Sequence, residues 1–86
     1  MNTAFMLLAM YDGRPLLPAD LVCRDFFPHL TLSKFLRKVS SGEIAMPLVR
    51  IENSQKAAKG FHIADVAAYI DARREEAMRD LKRLGR

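Results

Sequence analysis

The sequence predicts a small α+β fold: an N-terminal β-hairpin, two short helices joined by a tight turn, a second hairpin around a basic loop, and a long C-terminal helix. Three observations predict it. Asp12-Gly13 separates two apolar segments, a strong short-range hairpin signal, because a two-residue type I′ turn needs positive φ at both central residues. Thr31 precedes Leu32, Phe35, Leu36 and Val39, spaced i, i+3, i+4 and i+7, which is the pattern of a capped amphipathic helix. Helical spacing returns at Ala64 and runs to about Leu84.

Taken in order, Ala4–Tyr11 and Arg14–Leu17 are expected to form the arms of the first hairpin; the Ala, Met and Leu content of the first arm equally suits a short helix capped by Thr3. Pro18 suits a helix's first turn, where its missing N–H is no loss. Ala19–Phe27 then reads as a helix with the apolar stripe Leu21, Val22 and Phe26, Cys23 close to it, and Pro28 as its stop. After Pro28–Leu30 the Thr31 helix runs to Gly42, a left-handed terminator. Pro47–Glu52 and Phe61–Ile63 read as strands on either side of the polar stretch Asn53–Gly60, whose two alanines also permit a helical turn. In the last helix Asp65 complements the macrodipole. Val66, Ala67 and Ile70, then Ala77, Met78, Leu81 and Leu84, form its stripe, and pairs such as Glu75 with Arg79 support the exposed side. This order is that of a winged helix-turn-helix, with residues 1–86 as one domain and 64–84 as a long helix with too little core of its own to cover.

Composition narrows the function. The chain has 86 residues, half of them apolar and 28% charged, a globular balance with room for one small core. Cys23 is the only cysteine, so an internal disulfide is impossible and a thiolate zinc site is not expected. The apolar run Ala4–Tyr11 is too short to span a bilayer and lacks a basic lead. A cytoplasmic, nucleoid-associated protein with no membrane partner is expected. His29 and His62 stand in no triad or metal spacing, and there is no glycine-rich phosphate loop. An enzyme, a cofactor, a metal and a small-molecule substrate are therefore not expected, and Cys23 reads as a buried, inert thiol.

The net charge of +4 is unevenly placed. Residues 1–30 sum to −1 and residues 61–86 to +1, whereas residues 31–60 carry six cations against two carboxylates. A local excess of that kind attracts polyanions. It falls on two elements. The exposed side of the Thr31 helix offers Thr31, Ser33, Lys34, Arg37, Lys38 and Ser41, long hydrogen-bonding side chains of the type a helix needs in a major groove. Arg37 suits bidentate reading of a guanine edge; Lys34 and Lys38 suit phosphates. The second element is the loop with Ser54, Gln55, Lys56 and Lys59, flanked by Arg50, placed where a wing would meet a minor groove or the sugar–phosphate edge. An ordinary solvated basic helix and a flexible loop with two lysines are the plain alternatives.

Several blocks carry a family resemblance. Met1-Asn2-Thr3-Ala4-Phe5, Val22-Cys23-Arg24-Asp25-Phe26-Phe27, His29-Leu30-Thr31, Lys34-Phe35-Leu36-Arg37-Lys38-Val39, Gly42-Glu43-Ile44-Ala45 and Leu48-Val49-Arg50-Ile51-Glu52 resemble the pyocin activator protein family, PrtN. The most distinctive part is Ser54-Gln55-Lys56-Ala57-Ala58-Lys59-Gly60, followed by Asp71-Ala72-Arg73-Arg74-Glu75. The resemblance implies a bacterial transcription activator that switches on pyocin genes after DNA damage by binding a promoter element. The element order is also similar to winged excisionase and MerR-type domains.

Three function classes follow. The first is a sequence-specific double-stranded DNA-binding activator. The second is an excisionase-like factor that bends DNA, and the third is a small interaction protein such as an antirepressor, whose long helix binds a partner. An activator must also touch RNA polymerase or another regulator, with Glu75, Glu76 and Asp80 as candidate contacts. A homo-oligomer is expected on two grounds: an eight-residue apolar strand would leave a long open edge, and the half-apolar C-terminal helix has little to pack on.

Overall fold

The computed structural model describes residues 2–54 and 56–85. Four helices, α1 (Thr3–Met10), α2 (Ala19–Phe26), α3 (Leu32–Ser40) and α4 (Ile63–Gly85), surround a three-stranded antiparallel sheet of β1 (Leu16–Pro18), β2 (Val49–Arg50) and β3 (Lys59–His62), in the spatial order β1-β3-β2. The architecture is α+β, as the sequence predicts, and the N-terminal hairpin is the principal correction.

Residues 3–10 form a helix, and Tyr11 ends it, where the first strand was expected. Asn2, rather than Thr3, caps it, its side-chain oxygen accepting from the Ala4 and Phe5 N–H groups. Leu7 and Tyr11 are buried, Ala4 and Leu8 pack against the core, and Phe5, Met6 and Met10 are exposed. Asp12 (φ 56°) and Gly13 (φ 74°) do adopt the paired positive φ that the turn signal requires. They end a helix instead of joining two strands: the Gly13 N–H donates to the Leu8 carbonyl at 2.7 Å. The intended partner arm begins later, as β1, and pairs with β3 in the register Leu16–His62, Leu17–Phe61 and Pro18–Gly60. The long N-terminal strand edge, one of the two grounds for expecting an oligomer, therefore does not exist.

The middle of the chain folds as read. Pro18 ends β1 and stands just before α2 rather than in its first turn, without a side-chain capping bond; Val22 and Cys23 of α2 are buried while Leu21 and Phe26 are half-buried. Thr31 caps α3, its Oγ1 accepting from the Lys34 N–H. Phe35 and Val39 are buried, Leu36 is half-buried, and Leu32 at the helix start is exposed. Gly42, at φ 83°, ends the run. The strands are shorter than expected: of Pro47–Glu52 only Val49–Arg50 is a regular strand, and Ile63 belongs to α4 rather than to β3. The His62 ring, through Nδ1, accepts from the Ala64 N–H at the start of α4.

Phe35, Phe61, Leu17, Val22 and Val66 are the largest fully buried side chains. They join α3, β3, β1, α2 and α4 in one core. The core ends at Ile70: every residue of α4 from Asp71 to Gly85 is exposed. Among the described residues its ion pairs are Arg73–Glu76 and Asp80–Arg83, in place of the expected Glu75–Arg79.

Two contacts fix the chain around the sheet. At Gly60 a Cβ would lie 2.3 Å from the Leu17 carbonyl oxygen, so only glycine lets β1 approach β3 there. The neighbour is backbone and cannot swing away. Gly60→Ala is expected to lower stability by about 1–3 kcal/mol, the usual range for overpacking, as a reduced midpoint in urea unfolding. The second contact ties the end of α1 to α2: the Tyr11 hydroxyl donates to Asp25 Oδ2 at 2.6 Å. Burial first, then the bond to Asp25 and its charge, push the phenol from 10.0 up to about 12. The bond from Tyr11, with that from Arg24, holds the Asp25 carboxyl below the usual carboxylate range. The folded state thus binds the phenol proton more tightly than the unfolded chain. The contribution is complete below pH 10 and is lost as pH rises from 10 to about 12. The Asp25 contribution runs the other way, complete above 3.8 and lost as pH falls through the lowered value. Thermal melts of Tyr11→Phe are expected to show a shallower alkaline decline than the parent chain; an unchanged decline would contradict the assigned tie.

Candidate nucleic-acid interface

The site begins with a helix that can bury only one side. Around α3, Phe35 and Val39 point inward, and Ser33, Lys34, Arg37, Ser40 and Ser41 are exposed. The Phe35 ring packs between those of Phe27 (centroids 4.8 Å) and Phe61 (5.6 Å), and Phe27 also meets Tyr69 of α4 at 5.9 Å. These rings hold α3 against the end of α2 and against β3. The α2–α3 connection is closed from within: the Cys23 thiol, buried, lies 3.5 Å from the Leu30 carbonyl and donates to it.

Not every polar residue of α3 is presented alike. Thr31 and Ser41 are exposed but work locally, Thr31 as the N-cap, Ser41 by donating to the Lys38 carbonyl and accepting from the Glu43 N–H. Lys38 lies one turn from Phe35 beside the apolar stripe, is half-buried, and pairs with Glu43 at 2.5 Å. Glu43 reaches it because Gly42 turns the chain back, allowing the Ile44 N–H to donate to the Lys38 carbonyl at 3.0 Å. Lys34, Arg37, Lys38, Ser41 and Glu43 line one shallow recess. Of the expected cations on this helix, Lys34 and Arg37 carry the exposed positive charge, while Glu43 offsets that of Lys38.

The second basic element is the β2–β3 hairpin. Arg50 and Lys59 are direct cross-strand partners, so their side chains leave the same face of the sheet. Lys59 and Phe61, two residues apart on β3, share that face, and Phe61 packs on Phe35 of α3. Arg50 and Lys59 are therefore carried on the face of the sheet from which Phe61 meets Phe35 of α3. With Asn53 and Ser54 they line an open, mostly polar recess. The pairing continues past β2, where the Ile51 N–H donates to the Ala58 carbonyl, and the tip is a tight turn in which the Ala57 N–H donates to the Ser54 carbonyl. The Ser54 hydroxyl accepts from the exposed Lys56 N–H. Gln55 lies outside the described residues. The structure thus brings together Ser33, Lys34 and Arg37 on one element and Arg50, Ser54 and Lys59 on the other, with Lys56 at the hairpin tip.

Sequence reading missed three neighbours. Ser40 shares the outer side of α3, Asn53 completes the hairpin recess, and Glu43 places a carboxylate beside Lys38. Asn53 was visible as the first residue of the polar loop; nothing in the spacing marks Glu43. Of the acidic residues considered for a polymerase contact, Glu76 and Asp80 are held in ion pairs within α4.

Other chemistries find little here. Among the described residues no group of three His, Cys, Asp or Glu side chains is placed to hold a metal ion. No helix among them is long and apolar enough to cross a membrane. No curated protein and no solved structure matches the chain significantly. A family model, described as pyocin activator protein PrtN, matches residues 3–77. That span covers both basic elements, the core and the root of α4, and the chain belongs to the pyocin activator protein PrtN family.

Proposed function

We propose that this chain is a sequence-specific double-stranded DNA-binding transcription activator of pyocin genes, with α3 reading the major groove and the β2–β3 hairpin acting as a wing. The observation that carries the reading is the junction of Phe35 with Phe61, which fixes a basic helix face and a basic hairpin relative to each other. A lone basic helix is common; here two basic elements, each with its own recess, are joined through one pair of rings. The Arg50–Lys59 pair adds a second support. Like charges directly across a ladder repel, and a phosphate bound between them turns that repulsion into attraction.

The residues divide by task. Arg37, exposed at the middle of α3, is the base reader, with Ser33 and Ser40 beside it. Lys34, Arg50, Lys56 and Lys59 neutralise phosphates, and Ser54 with Asn53 completes the hairpin contact. Lys38, held by Glu43, contributes less.

Gel shifts on promoter DNA across a salt series test this. Arg37→Ala is expected to lower specific affinity by roughly 1–3 kcal/mol and to relax base preference at one position. Lys56→Ala or Lys59→Ala is expected to weaken binding to all sequences alike and to flatten the salt slope by about one. Binding that survives the combined removal of Lys34, Arg37 and Lys38 would overturn the assignment of α3.

A further inference from the structure

The outer half of α4 carries an apolar stripe with nothing beneath it. At about 100° per residue, Ile63, Val66, Ile70, Ala77, Leu81 and Leu84 fall within about 40° of one line along the helix. The first three face the domain: Ile63 and Val66 are buried in the core and Ile70 packs against it. The line then continues past the body as Ala77, Leu81 and Leu84, with Met78 beside it; Leu81 is 60% and Leu84 77% exposed. Beyond the buried Ile63 and Ala67, the positions 70, 74, 77, 81 and 84 keep alternating steps of four and three, the spacing of a two-helix coiled-coil seam. One member, Arg74, is charged.

Charge selects the occupant and its direction. The segment Asp71–Glu76 sums to −1 and the segment Arg79–Arg83 to +2. A parallel copy would set each segment against its own like and Arg74 against Arg74. An antiparallel copy sets the acidic segment against the basic one. At the root of the stripe an apolar recess of about 210 Å³, lined by Phe26, Tyr69, Ile70 and Arg73 among others, stands open. It is the natural seat for a leucine arriving from such a copy.

We infer that a second copy of this chain covers the outer half of α4, the two helices running antiparallel about a two-fold axis near residues 75 and 76. In this register Ile70 faces Leu81 of the partner subunit, whose side chain enters the recess beside Phe26. Arg74 faces Ala77 of the partner subunit, a small residue that leaves the guanidinium a way out to water. Arg73 comes beside Asp80 of the partner subunit on the flank of the seam, the two exchanging their pairs within α4, with Glu76 and Arg83, for one across the seam. Two copies related in this way present two α3 helices, the symmetry of an inverted repeat.

Sedimentation equilibrium of the full chain without DNA tests the pairing, so its outcome is independent of the DNA-binding reading. The expected result is a dimer, with Leu81→Asp raising the dimer dissociation constant roughly tenfold or more while the thermal unfolding of the body remains cooperative. Asp80→Arg is expected to weaken the dimer, and Arg73→Asp combined with Asp80→Arg to restore it. A wild-type monomer at high micromolar concentration, or an Leu81→Asp variant that dimerises as well as the parent, would overturn the inference. Orientation is read by cross-linking: chains with Arg74→Cys mixed with chains carrying Ala77→Cys are expected to link, and efficient self-linking of Leu84→Cys would overturn the antiparallel arrangement.

Discussion

The placement of α3 depends on one buried ring. Phe35 is fully buried, packed on Phe27 and on Phe61, and with Val39 it is the part of the nine-residue helix that enters the core. Nine residues are too few for a helix to persist alone in water, so the existence of α3 and the direction of its basic face rest on this packing. Burying a phenylalanine is worth about 2–3 kcal/mol, a large share of the stability available to a chain of this size. The same rings reach Tyr69 through Phe27. The helix that carries Arg37, the hairpin that carries Arg50 and Lys59, and the root of the long C-terminal helix therefore share one anchor.

What the sequence made legible follows from which elements carry a periodic signal. α2, α3 and the first half of α4 bury one stripe each, and their caps and stops are written in Pro18, Thr31 and Gly42. α1 has no such signal. It is apolar on every side, with Phe5, Met6 and Met10 outward and Leu7 and Tyr11 inward, and a helix without a polar face looks like a buried strand in a sequence. Asp12-Gly13 compounded the ambiguity, because two residues with positive φ end a helix as readily as they close a hairpin. The strands run from two to four residues, too short for alternation to develop; their pairing is set by the approach of Leu17 to Gly60 and by the core.

The candidate site was legible to the same extent. Exposure of Ser33, Lys34 and Arg37 follows from the position of Phe35, which the spacing gives. The pairing of Lys38 with Glu43 does not, since it arises only once Gly42 has folded the chain back on α3. Likewise the opposition of Arg50 and Lys59 depends on hairpin register, a tertiary property that composition cannot set. An oligomer loses its support from an open strand edge, because residues 3–10 are helical. It keeps the other: a fifteen-residue run of α4 in which every residue is exposed, from Asp71 to Gly85.

In the proposed DNA-binding mode, Arg37 and its neighbours on α3 read base edges while the hairpin grips the backbone. Selection of binding sites from a random duplex pool, with the full chain at physiological salt, tests it most directly. Enrichment of one defined motif is expected, with hydroxyl-radical protection of the flanking backbone where the hairpin lies. Uniform retention of all sequences, with no motif enriched over successive rounds, would contradict it.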